Sequence, residues 1–387
     1  MGTFSDGLLP GAFRKRSNRW LGEASEALRP LLRVTARRLA RASPAPPAAW
    51  RNGLILAHSH FGDVLYRTCS LGYLSQFLPQ CRWTFLTTPA SAEILKGNPA
   101  LADVVPWVAG ENSWQLTSGA FARLRTRSFD VALCTNTLRH YPDLVLSVAL
   151  GIPNRVGFTH KGLSGLITHP IPIDYPSSYP AYFRSLVANL TGEVPDWPLL
   201  PRVFSNEADR AAAADIWSGF AFASRRPVVA CSVTSRQTTG SWPRSTVLAI
   251  LREARRKADF EIVLCGGPGD ERVLRIAAAE LEVPCHILAG KLGIRAYAAF
   301  LGKCAALLTL DSGPRHIGNA AGIPVLFMRN LSQLRVETGA YCGTETDLAP
   351  DMEQLSDTEI QAVALTFSAR DAAQTLLSKV SASGLRA

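Results

Sequence analysis

Four short polar segments hold the residues that could do chemistry, and each stands between an apolar run and a helical pattern. They cover residues 58–63, 234–243, 266–271 and 311–316. Their carboxylate, hydroxyl, imidazole and guanidinium groups suit proton transfer and the binding of phosphate oxygens. The sequence has no Gly-x-x-x-x-Gly-Lys-Ser/Thr phosphate loop, no Gly-x-Ser-x-Gly turn and no Asp-x-Asp pair. An ATPase, a serine hydrolase and a metal-dependent nucleotide transferase are therefore disfavoured.

The segment 311–316 follows the apolar run 307–310 and opens a predicted helix. Pro314 falls in the first turn, where its missing N–H costs nothing. Free backbone N–H groups and the helix dipole at such an end suit a diphosphate, to which Arg315 or His316 adds charge. An Asp or Ser that only caps the helix fits the same pattern, so both interpretations stay open.

The segment 58–63 places Asp63 at a helix start, directly after Gly62. A carboxylate there is either a cap or a base that accepts a proton from an attacking hydroxyl. His58 and His60 follow the apolar run, where a hydrogen-bonded structural histidine is the commoner arrangement.

The two remaining segments offer partners for a nucleotide. Thr234 and Ser235 supply hydroxyls, and Arg236 supplies a planar guanidinium that matches phosphate oxygens. In the glycine-rich segment, Asp270 or Glu271 either accepts hydrogen bonds from ribose hydroxyls or caps the next helix. This segment does not match the Gly-x-Gly-x-x-Gly fingerprint of dinucleotide-binding proteins.

Two series of strands and helices must position these segments. The predicted strands are 54–57, 83–86 and 131–134 in the first series, then 228–231, 262–265, 305–310 and 325–328 in the second. Helical patterns separate the strands, which predicts parallel sheets covered on both faces. Because ligands of such sheets bind beyond the carboxyl ends of the strands, the four polar segments are expected at a cleft between two doubly wound domains.

Length and composition agree with two globular domains. The chain has 387 residues, of which 47% are hydrophobic and 19% charged, so a disordered or fibrous protein is excluded. We expect a basic arm and Pro/Ala linker at 1–52, a first doubly wound domain at 53–215 and a second at 216–350. The helical stretch 351–387 is expected to return to the first domain.

The excess of positive charge lies in the arm. The formal net charge is +10, and residues 1–52 carry 10 basic and 3 acidic side chains, which disfavours a whole-molecule nucleic-acid binder. Between residues 28 and 41, leucines fall at helical spacing and arginines recur every four positions. This amphipathic helix either lies on an anionic membrane surface, together with the basic residues from 14 onwards, or packs on its own domain.

The eight cysteines form no Cys-x-x-Cys pair and have no histidine at zinc-ligand spacing. Several end apolar runs, which predicts buried thiols in a reducing cytoplasm and no metal site. No apolar run approaches the ~18 residues of a membrane span. The expected location is the cytoplasm, either free or peripheral on the inner face of the inner membrane.

Taken together, the segments resemble those of glycosyltransferase family 9, the ADP-heptose:lipopolysaccharide heptosyltransferases. The resemblance extends over roughly residues 53–330, with its motifs in the family's order. These motifs are Gly62-Asp63-Val64, Leu95 to Pro99, Phe129-Asp130-Val131, Arg155 to Phe158, Ser241-Trp242-Pro243, Gly266 to Asp270, Leu288 to Lys291, Asp311 to His316 and Ala321 to Pro324.

The resemblance implies a GT-B architecture and an inverting, metal-independent transfer from a nucleotide sugar to a lipopolysaccharide or other envelope glycan. Asp63 would be the general base. Apart from the resemblance, we expect His60 and Arg139 to contact the acceptor, because the segment 58–63 is richer in histidine than the family pattern and a guanidinium suits an anionic acceptor. No separate cofactor is implied, since the ADP-linked sugar is a substrate. The implied donor-binding residues are Thr234, Ser235, Arg236, Asp270, Glu271, Leu292, Asp311, Ser312, Gly313 and His316.

The sequence departs from the family before Trp242. Family members usually carry a Lys there, and residues 238–241 contain none. Arg236 or Arg315 is expected to take its place at the diphosphate. The alternative is a non-catalytic nucleotide-sugar or membrane-surface binding protein on the same scaffold; a nucleotide-sugar epimerase is a third candidate.

Overall fold

The computed structural model describes most of the chain. It covers residues 28–57, 61–107, 119–135, 141–159, 163–173, 176–194, 200–222, 226–235 and 240–383. Among the helices in these ranges, none is both long and apolar enough to cross a bilayer.

The first domain is built on a parallel sheet of six strands in the order β3-β2-β1-β4-β5-β6. Its strands are β1 (Asn52–Ala57), β2 (Arg82–Thr87), β3 (Leu101–Pro106), β4 (Val131–Cys134), β5 (Asn154–Phe158) and β6 (His169–Ile171).

The second domain repeats this architecture, with strand order β12-β11-β10-β7-β8-β9 and parallel pairing throughout. Numbered within each domain, both sheets have the order 3-2-1-4-5-6 of a doubly wound fold. The strands are β7 (Val228–Ser232), β8 (Glu261–Gly266), β9 (His286–Ala289), β10 (Ala306–Leu310), β11 (Val325–Met328) and β12 (Glu345–Asp347).

Helices connect the strands, and their caps follow the sequence. Thr88 accepts a hydrogen bond from the backbone of Ser91 at one helix start, and Asn206 forms a reciprocal capping box with Asp209 at another. In the first domain the helices are α1 (Arg29–Leu39), α2 (Phe61–Phe77), α3 (Pro89–Leu95), α4 (Gly119–Arg125), α5 (Tyr141–Ala149) and α6 (Tyr179–Thr191). In the second they are α7 (Glu207–Gly219), α8 (Arg244–Lys257), α9 (Glu271–Leu281), α10 (Ile294–Leu301), α11 (Gly313–Ala321), α12 (Arg335–Thr338), α13 (Asp357–Thr366) and α14 (Ala369–Ser383).

Each sheet is buried on both faces, as its continuous apolar strands require. In β1, Leu54 packs into the cluster on one face of the sheet and Ile55 into the cluster on the other. In β7, Val228 and Val229 divide between the two faces in the same way. The α/β fold with two doubly wound domains, expected from the sequence, is confirmed.

Five strands were not predicted from the pattern of apolar residues. β3, β6, β9 and β12 are the edge strands of the two sheets, and β5 carries Asn154, Arg155 and Gly157. In these five strands polar residues, glycine or proline interrupt or closely flank the apolar residues, so they lack the longer apolar runs by which buried parallel strands are found.

The chain passes between the domains earlier than expected. Residue 215 lies inside α7, and Ala213, Trp217 and Phe220 of this segment pack against the second domain. The division therefore lies in the connection before Asn206, because the apolar face of α7 packs against α10 of the second domain.

The expectation that the C-terminal stretch returns to the first domain is wrong. Ala373, Leu376 and Val380 of α14 are buried in the core of the second domain, packed against α8. Ser383 at its end donates a hydrogen bond to the carbonyl of Ala305, beside β10. The helical spacing of these apolar residues predicted a helix but gave no information on which domain covers it.

Helix α1 is attached to the first domain by only part of its apolar surface. Ala36 is buried and Leu32 packs against the cluster on the outer face of the sheet. The close approach depends on Gly165, where a Cβ would lie 2.6 Å from the carbonyl oxygen of Arg29. The remaining apolar residues of this segment are exposed: Leu28, Leu31, Val34 and Leu39.

All eight cysteines are free thiols, and six of them are buried. Burial raises the pKa of the Cys81 thiol to about 12, which keeps it protonated and unreactive at neutral pH.

Candidate active site

The strand order locates the site. In each domain the order reverses beside the first strand, between β1 and β4 in one sheet and between β7 and β10 in the other. Ligands of doubly wound domains bind at this reversal, beyond the carboxyl ends of the strands. The turns that follow β1, β7 and β10 contain Asp63, Thr234 and the segment 311–316.

The first turns of α2 and α11 meet across the two domains. A Cβ on Gly62 would lie 3.0 Å from Cδ2 and 3.1 Å from Nε2 of His316, and a Cβ on Gly313 would lie 3.0 Å from Cδ1 of Phe61. These glycines permit the close approach. The structure therefore brings the first turn of α2, which contains Asp63, next to the start of α11, where the sequence predicts a diphosphate site.

The start of α11 is not capped by the side chain of its N-cap residue. Ser312 is extended, with φ of −156°, and its hydroxyl donates to the carbonyl of Leu310 at 3.3 Å. The cap-only interpretation of Ser312 is thus not supported, and the positive end of the helix dipole remains available to an anion. The same helix carries Gly313 in its first position and His316 in its first turn.

Arg315 points away from this helix end into the protein. Its side chain has no exposed surface, and its guanidinium pairs with Glu345 at 2.6 and 3.0 Å and with Asp311 at 2.8 Å. It also donates to the carbonyls of Thr338 and Gly339. All five N–H groups are used, so Arg315 has none for a phosphate. The expectation that Arg315 contacts the donor directly is therefore wrong. Arg315 is buried and pairs with two carboxylates, so its role is structural.

Asp311 is held by this arginine at the edge of the site. Burial raises the pKa of its carboxyl, and the neighbouring Arg315 opposes that shift. Because the charge of Asp311 is paired, the carboxylate can stand next to an anionic ligand with less repulsion than a free carboxylate would exert.

His316 is enclosed by aromatic rings. Its ring lies 4.5 Å from that of Tyr66 on α2, and its Nδ1 is 3.0 Å from the hydroxyl of Tyr341. Burial, and then the cation of Arg315, lower the pKa of His316 well below its usual value. The imidazole is therefore neutral at physiological pH and binds as a hydrogen-bond donor or acceptor, not as a cation.

The turns after β7 and β8 are tied together by Asp270. Its Oδ2 accepts hydrogen bonds from the backbone of Gly267 at 2.7 Å and from the hydroxyl of Thr234 at 3.3 Å. Gly290 donates to the carbonyl of Gly266 at 3.1 Å, which joins the turn after β9 to the same edge. Asp270 thus shapes the glycine-rich turn through one oxygen.

The other predicted donor residues differ in position. Glu271 is exposed and pairs with Arg275 one helical turn later, at 2.7 Å. Ser235 is half-buried beside Thr234, and Leu292 is half-buried against the second-domain core. Three predicted residues lie outside the described residues: Arg236, His60 and Arg139.

Residues remote in sequence surround His316 and Arg315, and they were not predicted from the sequence. Asn319, Tyr341 and Glu345 form hydrogen bonds around His316 and Arg315. Asn319 lies three positions after His316, a spacing that places both residues on one side of a helix. The positions of Tyr341 and Glu345 in the sequence give no indication that they lie near His316.

Within the described ranges, no group of three or more His, Cys, Asp or Glu side chains is arranged to hold a metal ion.

Two facing doubly wound domains define the GT-B architecture, and the first turns of α2 and α11 meet between them. A family model, glycosyltransferase family 9 (heptosyltransferase), matches residues 120–328. This match spans more than half of the sequence, and the chain belongs to glycosyltransferase family 9.

Individual relatives agree with this assignment. The chain is 21% identical over 284 residues to the lipopolysaccharide core heptosyltransferase OpsX of Haemophilus influenzae, covering 70% of this chain and 77% of that protein. The family 9 glycosyltransferase structure from Veillonella parvula superposes with a TM-score of 0.70 at 16% identity, over 90% of this chain and all of that one. The structure of ADP-heptose LPS heptosyltransferase II from E. coli superposes with a TM-score of 0.65 at 18% identity, over 87% and 99% of the two chains. The protein is thus a glycosyltransferase with the family's fold.

Proposed function

We propose that this protein transfers a heptose from ADP-heptose to the core of lipopolysaccharide, with inversion at the anomeric carbon and without a bound metal. The observation that carries the proposal is the contact between the first turns of α2 and α11, which sets Asp63 opposite an uncapped helix end. The names of the H. influenzae and E. coli relatives support the sugar, the nucleotide and the acceptor.

In this proposal Asp63 is the base. Its carboxylate accepts the proton of an acceptor hydroxyl while that oxygen forms a bond to the anomeric carbon, and the bond from this carbon to the diphosphate oxygen breaks. Attack from the face opposite to the leaving group gives inversion. A half-buried position in the first turn of α2 suits this role, since the carboxylate is partly shielded from water and still reachable.

The leaving ADP carries away the electron pair, and its charge requires stabilisation. The start of α11 supplies backbone N–H groups and the positive end of the dipole, and His316 supplies a neutral N–H. Thr234 and Ser235, together with Arg236, are proposed to hold the phosphate oxygens. With Arg315 occupied by Glu345 and Asp311, the missing Lys before Trp242 leaves Arg236 as the proposed cation at the diphosphate.

The activity is tested with ADP-heptose and lipopolysaccharide that lacks its heptoses. We expect release of ADP only when both are present, and NMR of the product reports the anomeric configuration. Activity that survives exhaustive EDTA treatment supports the metal-independent step. Parallel reactions with GDP-, UDP- and dTDP-sugars test the nucleotide. Donor binding without ADP release would favour a non-catalytic binding protein, and donor conversion without acceptor would favour an epimerase.

We further propose that α1 attaches the enzyme to the anionic inner face of the inner membrane, where its acceptor is assembled. The helix has no acidic residue, and Leu28, Leu31 and Leu39 are 53%, 63% and 55% exposed. Exposed apolar residues beside exposed arginines match an anionic lipid surface in both chemistry and charge. The exposed arginines of the helix are Arg29, Arg33, Arg37 and Arg38.

Point variants of the whole chain test this attachment, because removal of α1 would uncover the surface that Leu32 and Ala36 protect. Co-sedimentation with vesicles of phosphatidylcholine containing phosphatidylglycerol is expected for the wild type. Replacing Leu28, Leu31 and Leu39 by Asn should abolish it. The matched control replaces exposed apolar residues elsewhere, Ile276 and Val336, by Asn. Equal co-sedimentation of both variants would contradict the role of α1.

A further inference from the structure

Tyr341 contacts His316 although it lies 25 residues further along the chain. Its hydroxyl is 3.0 Å from Nδ1 of His316, and its ring lies 4.7 Å from that of Tyr66. The opposite edge of the imidazole, with Cδ2 and Nε2, faces Gly62 at the start of α2. One ring nitrogen therefore faces the protein interior and the other faces the gap between the domains.

The orientation of Asn319 fixes the direction of these hydrogen bonds. The salt-bridged carboxylate of Glu345 can only accept, and an Asn319 side-chain atom lies 2.7 Å from its Oε1. That atom must be the amide nitrogen. The same nitrogen donates to the Tyr341 hydroxyl oxygen at 2.7 Å, while Oδ1 accepts from the hydroxyl of Thr344 at 2.9 Å.

The hydroxyl proton of Tyr341 then has one acceptor. Within the described part of the chain, the hydroxyl contacts the Asn319 amide, which donates to it, and Nδ1 of His316. If Nδ1 carried a proton, this partly buried hydroxyl would be left without an acceptor among those residues. The network is satisfied when Tyr341 donates to Nδ1 and the ring proton sits on Nε2.

We propose that Tyr341, oriented by Asn319 and Glu345, is a positioning residue that holds His316 as the Nε2–H tautomer with this N–H directed into the cleft. This inference rests on the proposed function, in which His316 contacts the diphosphate of the donor. It deepens that function: His316 is a fixed neutral donor to a phosphate oxygen, and neither a cation nor a base. The anchor of the whole arrangement is the Glu345 carboxylate, which also accepts from Arg315 and from the backbone of Tyr341.

The tautomer is measured directly in protein labelled with ¹⁵N-histidine. At pH 7.5, His316 is expected to show Nδ1 in the unprotonated range and Nε2 in the N–H range; the signal that disappears in His316→Gln identifies it among the seven histidines. Tyr341→Phe should move both shifts toward the average of the two tautomers. A wild-type ring protonated on Nδ1 would overturn the proposal without any variant.

Binding of ADP, measured by calorimetry, tests the consequence. Tyr341→Phe should weaken binding about threefold to tenfold, as expected for one lost hydrogen bond. Gln places an amide N–H near the position of Nε2 without a tautomer to fix, so in a His316→Gln background the same change should have no effect. Additive losses in both backgrounds would indicate a merely structural Tyr341. Tyr297→Phe, which removes another buried hydroxyl outside the site, is the control.

His316→Asn distinguishes a failure of the proposed donor site from a failure of the positioning role of Tyr341. It offers no N–H at the Nε2 position and should weaken ADP binding by roughly tenfold or more. If both His316→Asn and His316→Gln bind ADP like the wild type, the donor site itself is misplaced. If His316→Asn binds weakly while Tyr341→Phe changes neither the ring shifts nor the affinity, the positioning role alone is refuted.

Discussion

The turns after β1 and β10 both lie where the strand order of a sheet reverses, β1 being the first strand of its domain and β10 the fourth, yet they are constructed differently. After β10, the segment that opens α11 is fixed by a buried network in which Arg315 joins Asp311 to Glu345. After β1, the first turn of α2 presents Asp63 on a half-buried helix end. The difference matches the proposed tasks, because a diphosphate needs fixed donors whereas an attacking hydroxyl needs a base that it can reach.

The comparison also separates position from chemistry. The topology determines that both turns lie at the cleft, and it would do so for any side chains. What the turns can do depends on whether their charges face the cleft or the interior. Arg315 and His316 are adjacent in sequence, but Arg315 forms a buried ion pair within its own domain, whereas His316 faces the other domain.

The strongest test of the first turn is Asp63→Asn. We expect kcat to fall by roughly 10²- to 10⁴-fold, the usual contribution of a general base, with ADP affinity unchanged. Asp103→Asn is the control, since this aspartate lies in the same domain, is 43% exposed and pairs with Arg127 on the surface. Wild-type turnover of Asp63→Asn would reject the base assignment and leave the two turns without distinct roles.

The network after β10 is tested through the stability of the protein. Arg315→Met would leave the Glu345 and Asp311 carboxylates buried without their cation, and we expect the free energy of unfolding in urea to fall by about 3–5 kcal/mol. Arg275→Met breaks the exposed pair with Glu271 and should cost less than about 1 kcal/mol. Equal losses would show that the network after β10 is no more fixed than a surface ion pair.

Arg236→Ala tests whether Arg236 contacts the diphosphate of the donor. Losing a charged hydrogen bond to the diphosphate should weaken ADP binding by about 1.5–3 kcal/mol while adenosine binding stays unchanged. The exposed Arg256, at the far end of α8, provides the Arg→Ala control. An equal loss for ADP and adenosine would place Arg236 away from the phosphates.

The smallest effect is expected from pH. Because the folded protein holds the pKa of His316 below 6.5, the unfolded chain binds a proton first as the pH falls through 6.5, and the free energy of unfolding decreases. The slope from this group is at most about 1.4 kcal/mol per pH unit. Among the described residues, the titratable groups around the ring include Arg315, Tyr66 and Tyr341. Urea unfolding at pH 7.5 and 5.5 should show a smaller difference for His316→Gln; the same difference as in the wild type would contradict the neutral buried imidazole.

The sequence was sufficient for the architecture and for the location of the turns, because Val/Ile/Leu runs mark buried parallel strands. It was insufficient where the outcome depends on distant partners. Arg315 was expected at the diphosphate, since its partner Glu345 is 30 positions away and nothing in the spacing connects them. The covering of α14 by the second domain was missed for the same reason: an apolar helical face does not specify what it packs against.

The position of α14 bears on how such enzymes diversify. With this helix kept on the second domain, residues 207–383 make one uninterrupted block of chain with its own core. A single genetic exchange at the connection before Asn206 would therefore replace the second domain as a whole and leave the first domain unchanged. If the last helix packed on the first domain instead, the same exchange would separate that helix from the residues that cover it. The present arrangement therefore permits recombination between the two domains.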